Sequence, residues 1–338
     1  MNKTDLARQY YLTYKDDIDS GVMSKQELAR LIIDEHPEIM CKKDGTILTE
    51  EEARYYIRRV ANATGDNVSK EDKNYFFQDA TNPPKVLLFD IETLPMISYH
   101  WGLWKQNINH GQIIKDWCLL SWSAKWLNDS ETIHGCLTPK EAISRKDKRI
   151  VRDLWKLFEE TDVIIAHNLK KFDQRKANAR FILNGLNPPT PYQLIDTLDI
   201  ARKTFGFSCN RMDYLGKILV NDQKIKTDFD LWIGCDTGDQ KALDQMLEYN
   251  DQDVLLLEEV YFELRPWMKS HPNLAVYDPE KELCVVCGSN KLTWKGTYAT
   301  PAGKFKSYRC NDCNSIGRSR FSDINKEDKK NLLTSVAR

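Results

Sequence analysis

The opening third of the N-terminal half carries apolar side chains at helical spacing. Leu28, Leu31 and Ile32 follow a Ser24-x-x-Glu27 capping signature, and Ala53, Ile57, Val60 and Ala61 follow Thr49-x-x-Glu52. Residues 1–63 therefore read as a helical N-terminal domain. The link Pro37–Leu48 exceeds the roughly three- to four-residue turn of a helix-turn-helix DNA reader, and the segment is acidic, so packing or docking of a protein partner is expected instead. Residues 64–84, with Thr-Gly-Asp-Asn and then Asn-Pro-Pro, read as a linker. Beyond it the pattern switches to apolar runs of strand length at Lys85–Ile91, Trp117–Lys125, Thr132–Leu137 and Val163–Ala166. Helical spacing returns at Lys148–Glu160, Asp173–Asn184 and Lys241–Leu264. Early strands followed by strands alternating with helices predict an α/β domain over residues 85–279, a mixed sheet with helices on both faces. Short β-prone runs between two cysteine pairs mark a third unit at 280–322, and 323–338 reads as a polar tail, a short helix or a frayed end. Trp101, Trp104, Trp117, Trp122 and Trp126 crowd the start of the α/β domain and read as core and domain-interface packing rather than base stacking.

Within Val86–Thr93, Asp90 and Glu92 stand two apart, so period-2 alternation puts both on one face of one strand. Adjacent carboxylates repel and lose hydration on burial, and a divalent cation between them is the usual reason to tolerate that. After the strand Val163–Ala166 come His167-Asn168 and then Phe172-Asp173, with Asp173 where the next helix begins. His167 and Asn168 either line a site or cap the loop. The long helix carries Tyr249-Asn250-Asp251-Gln252-Asp253, in which Tyr249 and Asp253 share a face while Asp251 points elsewhere and reads as solvated. Singly, these are an ordinary strand end, a helix N-cap and a helix face. Together, in this order, Asp90, Glu92, Asp173 and Asp253 suit two Mg²⁺ or Mn²⁺ ions for phosphodiester displacement, with Tyr249 orienting the attacking water. No histidine cluster accompanies them, which argues against zinc here. Asp196-Thr197 receives no role.

The layout resembles the DEDD superfamily of 3′–5′ exonucleases, and its tyrosine branch in particular, through Asp90-Ile91-Glu92, Asp173, and Tyr249 to Asp253. The His167-Asn168 to Phe172-Asp173 form is similar to the exonuclease domains of family B DNA polymerases. The histidine branch would need His at position 248, which is Glu248. Polymerase palm motifs are lacking, so a stand-alone nuclease is expected. The resemblance covers about residues 85 to 265 and implies a ribonuclease H-like fold with Asp90 on the central strand. It implies hydrolysis to 5′-mononucleotides, with Asp90 bridging two ions, Glu92 and Asp253 holding the one beside the water, and Asp173 acting through the other.

Hydrophobic content of 41% and charged content of 29% fit a soluble globular chain. No apolar run approaches the roughly 20 residues of a membrane span, and Met-Asn-Lys-Thr-Asp lacks a signal-peptide core, so a cytoplasmic setting is expected. The net charge of -1 conceals an asymmetry: residues 280–338 hold 12 basic and 6 acidic side chains, against 37 and 44 in the remainder. Four of the nine cysteines form Cys284-x-x-Cys287 and Cys310-x-x-Cys313, 22 residues apart, which matches a tetrahedral structural Zn²⁺ site and resembles a zinc ribbon. No thioredoxin-like βαβ pattern surrounds either pair, which excludes the redox reading. Lys291, Trp294, Lys295, Tyr298, Lys304, Lys306, Tyr308, Arg309, Arg318 and Arg320 suit phosphates and base faces, or simply keep a small unit soluble around Trp294. The expected activity is a metal-dependent 3′–5′ exonuclease on DNA, single-stranded or at 3′ ends, in replication or repair. The alternatives are an exoribonuclease, since no residue reports on a 2′-hydroxyl, and an inert nucleic-acid-binding adaptor.

Overall fold

The helical spacing near the N-terminus becomes four helices: α1 (Lys3–Thr13), α2 (Lys15–Asp19), α3 (Lys25–Glu35) and α4 (Glu50–Ala63). Both capping boxes form: Ser24 Oγ accepts from the Glu27 amide while Glu27 accepts from the Ser24 amide, and Thr49 and Glu52 do the same. Leu28, Ile32, Ala53, Ile57 and Val60 meet in one buried cluster with Leu6 and Tyr11 of α1. The computed structural model describes residues 3–20, 22–42, 45–63, 76–77, 83–129, 131–222 and 224–333. Most of the expected linker, the side chain of Ala61 and tail residues 334–338 lie outside them. Contacts group residues 1–69 with 85–261 in one unit, and 70–84 with 262–338 in another.

In the first unit, β1 (Val86–Leu94) is the central strand of a five-stranded mixed sheet. A short pair, β2 (Ile97–Ser98) and β3 (Ile113–Lys115), follows it, and then come β4 (Cys118–Trp126), β5 (Ile133–Cys136), β6 (Val163–Ala166) and β7 (Gln193–Asp196). The order is β5-β4-β1-β6-β7, with β4 antiparallel to β1 and β5, and β6 parallel to β1 and β7. The helices of this unit are α5 (Pro139–Ser144), α6 (Lys148–Glu159), α7 (Asp173–Leu183), α8 (Thr197–Thr204), α9 (Met212–Val220), α10 (Phe229–Thr237) and α11 (Gln240–Leu264).

Alternation along β1 assigns the two faces. Phe89 meets Phe158 of α6 edge-on, Phe158 meets Phe181 of α7, and Trp122 of β4 donates to the Ile150 carbonyl, so α6 and α7 cover that face. Asp90 and Glu92 point to the other face with their β4 partners Ser123 and Ser121. There α11 lies across the sheet: Ser121 pairs with Asn250, Ser123 with Asp251, and Lys125 with Glu258 at 2.6 Å. This corrects the expectation for Asp251, which is buried and bound by Ser123 and His134 rather than solvated. Strand β7 and helices α5, α8, α9 and α10 escaped the sequence reading because none exceeds nine residues, barely more than two turns of periodicity.

The tryptophans divide. Trp122 is buried, and Trp117 lies beneath Lys176, whose Nζ sits 3.7 Å from the ring centroid. Trp101 and Trp104, expected in the core or an interface, are 97% and 84% exposed on the loop between β2 and β3.

The second unit is a three-stranded sheet ordered β10-β9-β8, made of β8 (Leu292–Thr300), β9 (Gly303–Cys310) and β10 (Ile316–Arg318), followed by α12 (Lys326–Lys329). Two matching knuckles carry the cysteines. Gly288 and Asn314 both adopt positive φ one residue after a CxxC pair, and their amides donate back to the Cys284 and Cys310 carbonyls. The buried core comprises the four cysteines, Val286 and Tyr308, with Trp294 left 38% exposed against Tyr308. Phe77 closes one knuckle: its amide donates to the Cys287 carbonyl, and its ring fills the space a Cβ on Gly288 would take.

Candidate active site

The C-terminal half of β1 runs past the end of β6, which it pairs only through Val86–Leu88. A β-bulge between Glu92 and Thr93 leaves Leu120 of β4 without a partner on β1, and the ladder resumes with Thr93–Leu119 and Leu94–Cys118. The open strand end presents Asp90 and Glu92 to α11. Their carboxylates and that of Asp253 each offer an oxygen within 4.8 Å of one another. Asp173 stands outside this group of three, buried at the first residue of α7, and interacts electrostatically with Asp90 and Glu92.

The environment resists charge. Burial pushes Asp90 up to about 7, with Lys224 opposing and Asp253 adding to the rise. Burial also holds Glu92 well above the usual carboxylate range, reinforced by Asp90 and Asp253, while a hydrogen bond from Trp232 of α10 acts in the other direction. Asp173 is raised by burial and by Asp90, against hydrogen bonds from its own amide and that of Ile91. Among the described residues, one cation answers these groups. Lys224 Nζ sits 2.6 Å from Asp253 Oδ2 and 3.4 Å from the Tyr249 hydroxyl. Burial opposes its charge, but Asp253 and Asp90 outweigh that and hold it well above the usual lysine value. Four carboxylates against one ammonium leave a deficit of positive charge, and Asp253 Oδ1 is buried with no hydrogen-bond partner. Hard oxygen donors, a charge deficit and an orphaned oxygen fit divalent cations.

Supporting groups fix the carboxylates. Asn250 Nδ2 donates to Asp90 Oδ2 at 2.7 Å, and Ser121 Oγ donates to Asn250 Oδ1 at 3.1 Å. Tyr249 packs edge-on against Trp232, and burial and Asp253 push its phenol far up, so it stays protonated. His167 sits between Thr197 Oγ1 at 2.9 Å and the Asn210 carbonyl at 3.0 Å. Burial lowers it to about 4, so it is neutral: Nε2–H donates to the carbonyl and Nδ1 accepts from the hydroxyl. With Asp90, Met212, Lys224, Asp253 and Leu257 it lines a cavity of about 50 Å³. Asn168 takes positive φ in the loop, and its amide and that of Lys170 donate to the Asp196 carboxylate, which also caps α8. Asp196 thus positions the loop that leads into Asp173.

The sequence reading missed Lys224, Asn250 and Trp232. Asn250 stands three residues before Asp253 on α11, so spacing could have found it. Lys224 lies in a loop with no local signature, and only the tertiary fold brings it to Asp253.

The cysteine site is distinct. Sγ of Cys284 lies 3.6 Å from that of Cys313, and Sγ of Cys287 lies 3.6 Å from that of Cys310. A tetrahedral Zn–S shell with bonds of about 2.3 Å spaces its sulfurs by roughly 3.8 Å. The set therefore fits zinc, with all four positions taken by sulfur.

Residues 126–265 match the model of the RNase_H_2 family, of the RNase_H superfamily. The match includes Asp173, Lys224, Tyr249 and Asp253, and begins after Asp90 and Glu92. No curated protein matches the chain. The mixed sheet and its helices are consistent with the RNase H-like fold, and the match supports this superfamily, whose members are usually nucleases that use divalent metals.

Proposed function

We propose that this chain is a metal-dependent 3′–5′ exonuclease acting on DNA and releasing 5′-mononucleotides, of the tyrosine branch of the DEDD superfamily. The observation that carries the reading is the buried, unpartnered Asp253 Oδ1 in a carboxylate cluster with Asp90 and Glu92, one helical turn from Tyr249. Asp90, Glu92, Asp173 and Asp253 would hold two Mg²⁺ or Mn²⁺ ions. Bound there, such ions polarise the scissile phosphate, lower the pKa of the attacking water and neutralise the leaving oxygen.

The remaining work falls to the chain itself. Asn250, oriented by Ser121, keeps one Asp90 oxygen committed and the other aimed into the cleft. Tyr249 remains a phenol at any working pH, so it orients water by a hydrogen bond and does not act as a base. The Lys224 ammonium offsets charge beside Asp253 and the Tyr249 hydroxyl. Neutral His167 braces the cavity wall through Asn210 and Thr197 and holds no proton in reserve. A Zn²⁺ on Cys284, Cys287, Cys310 and Cys313 serves structure only, because no position is left for substrate. The basic strands β8 and β9, with Lys295, Lys304, Lys306 and Arg309, supply a phosphate-binding surface.

The test is incubation of 5′-end-labelled single-stranded DNA and RNA with Mg²⁺, with and without chelator. The expected result is a ladder shortening from the 3′ end on DNA, abolished by chelation. Absence of hydrolysis of either polymer, or release of 3′-mononucleotides, overturns the assignment.

A further inference from the structure

The loop between β2 and β3 is short of apolar cover but is built to a definite shape. Three residues after Glu92 the chain leaves the sheet at Pro95 and returns at Asp116. Arg145 joins both feet: its Nη1 donates to the Pro95 carbonyl at 2.6 Å and to the Asp116 carbonyl at 2.7 Å, while Asp236 holds the rest of the guanidinium. Farther out, Tyr99 and Gln112 exchange two hydrogen bonds of 2.9 Å, and Asn109 caps the 3-10 turn His110–Gln112. His100 and Gln106 bond to the Gly102 and Trp104 carbonyls. These polar contacts shape the tip without burying its rings. Tyr99 is 73% exposed, Trp101 97% and Trp104 84%.

Exposed aromatic surface of this size is costly in water and marks an interaction site. The charge pattern selects the occupant. From Thr93 to Lys115 the chain has no carboxylate, although 50 of its 338 residues are acidic. At the returning foot, Lys115, Asp116, Trp117, Arg145 and Arg180 line a cavity of about 280 Å³; Asp236 and Asp147 neutralise the two arginines, and Lys176 lies over Trp117. A loop of exposed rings that carries Lys105 and Lys115 and no acid, and that starts three residues past Glu92, is complementary to a polyanion with flat π-faces.

We propose that the β2–β3 loop is a stacking platform for single-stranded nucleic acid, on which Trp101 and Trp104 receive unpaired bases of the strand whose end lies in the acidic cleft. The proposal rests on the nuclease reading of that cleft and names the form of substrate it takes. Bases with exposed faces are required, so a paired duplex binds through this loop only where its end has frayed.

The test uses the full chain and the variants W101A/W104A and W101F/W104F. Binding of a fluorescein-labelled oligo(dT) is measured in Ca²⁺ in place of Mg²⁺, together with Mg²⁺-dependent turnover of the same oligonucleotide and of a dinucleotide. Base–aromatic stacking predicts at least about 30-fold weaker oligonucleotide binding for the alanine pair, and recovery to within about 5-fold for the phenylalanine pair. KM for the long substrate should rise while dinucleotide turnover stays within about 2-fold of wild type. If the cleft is not a nuclease, turnover is absent from every protein while the binding difference persists, so the two readings fail separately. Equal oligonucleotide affinity for wild type and W101A/W104A overturns the platform. So does a loss confined to anionic phosphatidylserine vesicles or to self-association in light scattering.

Discussion

Asp90→Asn separates the electrostatic cost of the acidic cleft from its chemistry. The amide keeps the shape and can still accept from Asn250 through its oxygen, so packing is preserved. What disappears is a carboxyl whose pKa rises from 3.8 to about 7 on folding. Between those values the folded protein holds a proton that the unfolded chain has released, so wild-type stability falls as pH rises through that window and levels off above it. At about 1.36 kcal/mol per unit the full rise bounds the effect at roughly 4 kcal/mol. Asp90 is only half-buried, and solvent reduces this to about 1–3 kcal/mol. For a unit of this size that is roughly 2–10 °C in Tm. The assay is a thermal melt of both proteins from pH 4 to pH 8 in buffer free of divalent cations, repeated with Mg²⁺. The variant should match wild type near pH 4 and melt higher above pH 7. With Mg²⁺ at about 100 times its dissociation constant, wild type alone should gain roughly 2.7 kcal/mol, narrowing or reversing the order. Nuclease activity of the variant should be lost. A variant less stable than wild type at pH 8 without Mg²⁺, or a gap that ignores pH, refutes the electrostatic account.

Other perturbations probe separate parts. Tyr249→Phe should slow hydrolysis on the order of 10²–10⁴-fold while Mg²⁺ affinity by calorimetry stays near wild type; lost affinity would make the phenol structural. Arg54 of α4 and Asp222 form a buried ion pair at 3.0 Å, two residues before Lys224. Arg54→Ala should cost about 3–5 kcal/mol by denaturant titration, and the double variant with Asp222→Ala should cost less than the sum. Cys284→Ser should release zinc, measured by elemental analysis, and raise amide exchange across β8–β10, while short-substrate turnover persists. Lys304→Ala with Lys306→Ala should reduce the salt slope of single-strand binding by about 1.4; an unchanged slope would leave these lysines to solubility.

Some of this protein was legible residue by residue. Period-2 spacing places Asp90 and Glu92 on one face of β1, and four-residue spacing joins Tyr249 to Asp253, because strand and helix geometry are local properties of the backbone. The strand Val163–Ala166 has the bounds expected for it, and the two CxxC pairs come together with sulfurs spaced for one ion. Periodicity reports which side of an element a residue takes, and is silent on what lies there. It could not tell that α11 covers the polar side of β4, so Asp251 is buried by Ser123 and His134 instead of solvated. Nor could it tell that Trp101 and Trp104 leave the sheet on a loop held at its feet by Arg145, some 40 residues farther along the chain. Lys224 shows the same limit in the candidate active site. A single lysine in an irregular loop has no pattern to read, and only the packing of that loop beside α11 sets its ammonium 2.6 Å from Asp253. Spacing along the chain determined which carboxylates could share a face, and the long-range packing decided which charges, rings and hydroxyls they meet.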